Sequence, residues 1–132
     1  MQTLARYAFA VFFVGAGLNH FLHPAFYLQI MPTYLPAHDA LNVVSGAAEI
    51  IIGVLVAVPR TQRIGGWLAI VLLVAVFPAN IYLFTHQELM PDVPALMHLL
   101  RLPLQALFIA WAYWAALARS RSRAPEAANH FQ

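Results

Sequence analysis

The sequence predicts an all-α integral membrane protein, a four-helix bundle running up-down-up-down with an apolar, lid-like first loop. Composition is the first reason: 62% of the 132 residues are apolar and 9% are charged, against roughly 45–50% and about 25% in soluble domains. The second is length, since four apolar stretches each reach the ~20 residues a helix needs to cross a ~30 Å hydrocarbon core. Spans of that length use up most of the chain, so no nucleotide-binding domain or large extramembrane catalytic head fits. Within lipid every backbone amide must find its partner inside the chain, and a bundle of helices is the economical solution.

In chain order the expected spans are residues 4–22, 40–58, 64–84 and 95–117, forming a transmembrane domain over 1–118, with 119–132 as a flexible basic cytoplasmic tail. The first stretch has signal-peptide features in Arg6 and Val14-Gly15-Ala16. It is read as a span because its apolar run continues into the polar pair Asn19 and His20. The first loop is marked by Pro24, Pro32 and Pro36, yet Phe26, Tyr27, Leu28, Ile30, Met31, Tyr34 and Leu35 make it too apolar to hang in water. It is expected to lie at the interface as a lid, with Tyr27 and Tyr34 at headgroup depth. The second connection is a tight basic turn at Pro59, Arg60 and Arg63, and the third is acidic, with Glu88 and Asp92 alongside Pro91 and Pro94.

Orientation follows from arginine. Arg6, Arg60, Arg63, Arg119, Arg121 and Arg123 sit at the amino terminus, the second loop and the tail, and the first and third loops have none. Basic flanks stay on the cytoplasmic side, which puts both termini in the cytoplasm of a bacterial inner membrane. A net charge of +2, scattered along the chain, offers no nucleic-acid surface. The absence of cysteine excludes disulfides, thiolate metal sites and thiol redox chemistry within the chain.

The informative residues are polar ones inside the spans. A mid-bilayer charge costs at least ~2.5–3.5 kcal/mol on insertion scales, so Glu49 and Arg101 need partners, and an ion pair between the second and fourth spans is expected. Asn42, Ser45 and Glu49 recur at helical spacing beside Gly46 and Gly53, and His98, Arg101 and Gln105 do the same on the fourth span. Asn19 and His20 close the first span, and Asn80 follows Pro78 in the third. All these residues fall in the outer half. Pro78 and Pro103 flank the zone, disturbing the carbonyls of Val74 and Leu99. Phe9, Phe12 and Phe13, with Trp111, Tyr113 and Trp114, are read as lipid-facing or belt residues, and His86 as a surface residue.

There is no phosphate-binding glycine loop, no His-Glu-x-x-His and no serine beside an obvious base. The remaining set of one acid, one arginine, imidazoles and amides suits a hydrophobic carbonyl or quinone headgroup, proton exchange with it, or a haem or metal held by two histidines. The expected ligand-binding set is Asn19, His20, Glu49, Asn80 and Arg101, supported by Ser45, His98 and Gln105, with Glu49 the candidate catalytic group. A quinone-like lipid is the candidate ligand, no cofactor is required, haem is disfavoured and no metal site is expected. The pocket should open between helices toward lipid, with Phe77 or Phe84 against the ligand. Expected partners are the bilayer and a hydrophobic small molecule, with a protein partner or a second copy also compatible and nucleic acid excluded.

Gly17-Leu18-Asn19-His20-Phe21 with Pro24, Met31-Pro32, Leu35-Pro36, Ser45-Gly46-Ala47-Ala48-Glu49 and Val76-Phe77-Pro78-Ala79-Asn80-Ile81 occur in an order that resembles the DoxX family of small four-helix membrane proteins. Arg101, Pro103 and Gln105 extend the resemblance into the fourth span, so that it covers about Phe9 to Trp114. It implies quinone-linked redox work, as in a thiosulfate:quinone oxidoreductase subunit, or assembly of other membrane proteins, as in chaperones of the wider superfamily. It also implies a site at Asn19, His20, Glu49, Asn80 and Arg101. Three functions therefore stand side by side: a redox-linked accessory binding a quinone-like ligand in the outer half; a scaffold or assembly chaperone whose polar cluster is structural; and a lipid- or sterol-acting enzyme using Glu49 for proton transfer.

Overall fold

The computed structural model describes residues 1–118, so the expected tail at 119–132 lies outside the described residues. Among the described residues all regular structure is helical: α1 (Gln2–Leu22), α2 (Pro24–Ile30), α3 (His38–Ala57), α4 (Gln62–Thr85) and α5 (Ala95–Ala112), with a 3₁₀ turn at Gln87–Leu89 and a π turn at Tyr113–Leu117. Three of these are long and apolar enough to cross a membrane, namely α3, α4 and α5 with its closing π turn. The first segment meets that criterion as a pair, α1 with α2, and the pair is bent by 91°.

Proline explains the breaks. Pro24 has no amide hydrogen and its ring pushes His23 out of the helical region, to φ −131 and ψ 57. The same fixed φ then suits Pro24 to the first turn of α2. The expected lid is thus partly helical, turned across the end of the bundle rather than strung over it. Pro59 ends α3 in the same way, with Val58 extended at φ −82 and ψ 120. Pro78 and Pro103, by contrast, lie inside continuous helices.

The four long helices form a ring in which α1 packs most extensively on α3, α3 on α4, α4 on α5, and α5 with its π turn back on α1. Neighbours in the ring run antiparallel. Gly17 faces Gly46 and Gly53 faces Ala10, so α1 and α3 meet backbone to backbone. The α4–α5 pair meets at Asn80 with Gln105 and at Gly66 with Ala116.

The apolar core lies toward the end that carries Met1. Phe9, Ala10, Phe13, Ile52, Val56, Ala69, Ala112 and Ala116 are buried there, with Trp111 packed against them. Phe9 and Phe13 stack at 4.5 Å between centroids, and Trp111 meets Phe9 edge-on at 5.2 Å. This corrects the lipid-facing reading for Phe9, Phe13 and Trp111. Phe9, Phe13, Gly17 and His20 share one helical face, and that face is turned inward by the close approach of α3. Phe12, Tyr113 and Trp114 are exposed.

Candidate functional site

The end of the ring opposite Met1 collects the polar side chains, and they form two separate groups. The first joins α1, α2 and α3. His20 and Asn42 are both buried. Asn42 Nδ2 donates to the His20 backbone carbonyl at 3.1 Å, which leaves Asn42 Oδ1 as the acceptor facing His20 Nδ1 at 2.7 Å. The proton on that side therefore sits on Nδ1, and His20 presents Nε2 to Glu49. Glu49 Oε2 stands 3.6 Å from Nε2, an ion-pair distance too long for a hydrogen bond. Oε2 is buried and makes no hydrogen bond, although the Glu49 side chain as a whole is 20% exposed.

The lid completes this group. Tyr27 of α2 stacks its ring on the His20 imidazole, with centroids 3.6 Å apart and planes 18° apart. Asn19 Nδ2 donates to the Tyr27 hydroxyl at 2.8 Å, and His23 Nδ1 donates to Asn19 Oδ1 at 2.8 Å. The 91° turn after α1 is what brings Tyr27 back over a residue seven positions earlier. Beyond it Pro32 is fully buried, and Thr33 and Tyr34 reach Tyr82 near the end of α4.

The second group joins α4 and α5. Asn80 Nδ2 donates to Gln105 Oε1 at 2.6 Å, and Gln105 Nε2 donates to the carbonyl of Leu73. That carbonyl neighbours Val74, whose own partner is removed by Pro78, so the two amides stitch the proline-disturbed turn of α4 to α5. Asn80 Nδ2 and both polar atoms of Gln105 have structural partners in this chain of contacts.

The expected Glu49–Arg101 ion pair does not form. Glu49 pairs with His20 instead, and Arg101 makes no salt bridge or side-chain hydrogen bond to a described residue. The ring order is the reason, because α3 and α5 stand on opposite sides of it. Of the expected set, His20 and Glu49 come together with Asn19 close by, whereas Asn80 binds Gln105. His98 is fully buried and neither ring nitrogen has a hydrogen-bond partner among the described residues. Ser45 is half-buried beside Gly46. Phe77, expected against a ligand, is exposed.

Two residues outside the expected ligand set prove central. Asn42 was visible on the same helical face as Glu49, seven residues earlier, and its separation from His20 by 22 positions hid its role as the group that orients the imidazole. Tyr27 carried only a lid signal. Two clefts also open away from this end. One is apolar, about 350 Å³, between α3 and α4 at Ala48, Ile51, Ile52, Leu68, Val71 and Leu72. The other, about 380 Å³, lies at the Met1 end. Neither is lined by His20, Glu49, Asn80 or Arg101.

Residues 9–116 match the family described as Domain of unknown function (DUF8561), and the chain belongs to that family. No curated protein and no solved structure matches it. The match overturns the resemblance to DoxX. The words that carried that resemblance have general physical causes here: Gly17 and Gly46 permit a close helix seam, Pro24 and Pro32 shape a helix-ending loop, and Asn80 braces a proline turn. Residues chosen for such tasks recur in unrelated membrane bundles.

Proposed function

We propose that the chain crosses the bilayer four times, α1 with α2 serving as the first crossing, in a bacterial inner membrane with both termini cytoplasmic. In that setting it binds a hydrophobic molecule with a hydrogen-bonding head, a quinone-like lipid, against His20 and Glu49. The observation that carries this is the incomplete pairing of Glu49, whose buried Oε2 has no hydrogen bond and lies 3.6 Å from His20 Nε2. An unmet buried acceptor costs about 1–3 kcal/mol, and the hydroxyl of a quinol-type head beside the pair would satisfy it by donating, while a carbonyl head would accept from a proton carried on Glu49 or on His20 Nε2. Because Asn42 accepts from His20 Nδ1, His20 Nε2 and Glu49 Oε2 are both left facing a 3.6 Å gap, where either can give a proton to the bound head or take one from it.

The test is native mass spectrometry and thermal stability of gently extracted protein with a short-chain ubiquinone analogue. The analogue should raise Tm, Glu49→Gln should shrink the shift, and Arg101→Gln should leave most of it. No shift in the wild type and no co-extracted lipid would remove the ligand reading. Topology has its own test in cysteine labelling of intact cells with an impermeant reagent. Cysteine at Ala37 or Glu88 should react from outside and cysteine at Gln62 or Ser122 should not, and the reverse pattern would invert the orientation.

A second reading, a scaffold whose polar residues only hold the bundle, is favoured by the Asn80–Gln105–Leu73 chain, in which Asn80 Nδ2 and both polar atoms of Gln105 are spent on helix-to-helix contacts. Under that reading Glu49→Gln leaves function intact and only stability changes.

A further inference from the structure

The Met1 end of the ring holds a cleft of about 380 Å³, lined by Gln2, Thr3, Arg6, Gln62, Ala115 and Ala118. This volume falls within the ~300–1,000 Å³ of small-molecule sites. Its chemistry is dominated by donors. The Arg6 guanidinium is placed by two neighbours, donating from Nη1 to Gln62 Oε1 and lying 4.9 Å over the Tyr7 ring. Its Nε is buried and has no hydrogen-bond partner among the described residues. With Gln62 Oε1 occupied by Arg6, the Gln62 amide nitrogen is left as a further donor.

Two helices begin at the cleft's wall, and neither start has a side-chain cap. Thr61, the cap position of α4, spends its hydroxyl on the Leu55 carbonyl instead. The first amides of α1 and α4 thus add positive helix ends to the guanidinium. The feature that would repel an anion is the carbonyl end of α5 and its π turn. Gln2 Nε2 covers it by donating to the Trp114 carbonyl at 2.8 Å and the Ala118 carbonyl at 2.6 Å.

We propose that this cleft binds a phosphate-bearing anion, with Arg6 as its principal contact and Gln62 as a second donor. Phosphate suits it because a planar guanidinium can pair with two of its oxygens and the convergent amides with a further one, whereas a carboxylate has only the two. Two sources share this chemistry, the headgroup of an anionic phospholipid and a soluble phosphate. The surroundings favour the lipid. Tyr7, Trp67, Tyr113 and Trp114 are exposed at this same end, the arrangement of an aromatic belt at headgroup depth. The inference rests on the membrane-spanning reading but not on the His20–Glu49 ligand, and its variants leave that site untouched.

The test uses full-length protein in mild detergent, titrated separately with phosphatidylglycerol, phosphatidylcholine and inorganic phosphate, and read by native mass spectrometry and Tm. Phosphatidylglycerol should be retained and should raise Tm, with phosphatidylcholine much weaker. Arg6→Gln should weaken phosphatidylglycerol binding about tenfold or more, the size of a lost charged hydrogen bond. Arg6→Lys should recover part of it, and Arg60→Gln, on the exposed α3–α4 turn, should change it little. A Tm rise with inorganic phosphate that Arg6→Gln removes supports the site with a soluble source. Binding that is insensitive to Arg6→Gln, or equally reduced by Arg60→Gln, overturns it in favour of diffuse surface charge. Since Arg6→Gln also loses the contact to Gln62, each variant's Tm without lipid supplies its baseline, and retention in the mass spectrum is independent of that baseline.

Discussion

Gly17→Leu should leave little or no folded protein after extraction, while Gly15→Ala, two residues away, should be neutral or slightly stabilising. A Cβ on Gly17 would sit 2.5 Å from the Gly46 carbonyl oxygen and 2.9 Å from the Ile50 amide nitrogen. Both are backbone atoms, which no rotamer change can move aside. α3 would have to withdraw along the whole seam, lifting Gly53 from Ala10 and pulling Asn42 off His20. Overpacking costs ~1–3 kcal/mol where the surroundings can give, and Gly17→Ala should reach the upper end of that range. The branched bulk of leucine goes well past it. At Gly15 an added Cβ meets nothing within 4 Å, so alanine brings only its better helix propensity, worth up to ~1 kcal/mol. Thermal unfolding in detergent, followed by helicity, separates the two. Equal losses at both positions would mean that α1 and α3 do not meet along this seam.

Much of the helical layout was legible because its causes are local. Apolar runs long enough to span located the long helices, and Pro24 and Pro59 ended two of them for reasons confined to the adjacent residues. The partner of Glu49 was not legible. Spacing puts Asn42, Ser45 and Glu49 on one face of α3, but only the ring order decides that this face meets α1 rather than α5. Charge alone makes Arg101 the natural partner, and charge does not encode the ring order that gives Glu49 to His20. Phe9 and Phe13 failed for a related reason: in a chain this apolar, a phenylalanine facing the core and one facing lipid have the same composition around them. The only hint was their register with Gly17 and His20, since a small residue and an imidazole on one face mark the side that another helix approaches closely. The cleft at Arg6 was similarly hidden, because it is assembled from the starts of α1 and α4 and the end of α5, some 50 residues apart in each step.

His20 and Glu49 should be energetically coupled, and Arg101 should not be coupled to either. Replacing His20 with leucine leaves Glu49 without the imidazole nitrogen that faces it and strips that ring from the face of Tyr27. Replacing Glu49 with leucine leaves His20 Nε2 facing an apolar group while Nδ1 stays bound to Asn42. Removing one partner of a dry ion pair costs about 3–5 kcal/mol, whereas polar contacts between membrane helices average nearer ~0.6 and reach about 1.7 kcal/mol. The separation of 3.6 Å and the 20% exposure of Glu49 argue for the smaller scale. A coupling of about 0.6–1.7 kcal/mol is therefore expected, with the double variant losing less than the sum of the single losses. The Glu49→Leu and Arg101→Leu pair should add within about 0.5 kcal/mol, because residues without shared partners behave independently. Denaturation of the three single variants, the two double variants and the wild type in one detergent measures both cycles. Coupling between Glu49 and Arg101 with none between Glu49 and His20 would place α3 against α5 and require a different ring order. Coupling in neither cycle would leave Glu49 held by something other than protein, which is the outcome that would turn attention from the His20 pair to whatever lies against its exposed edge in the membrane.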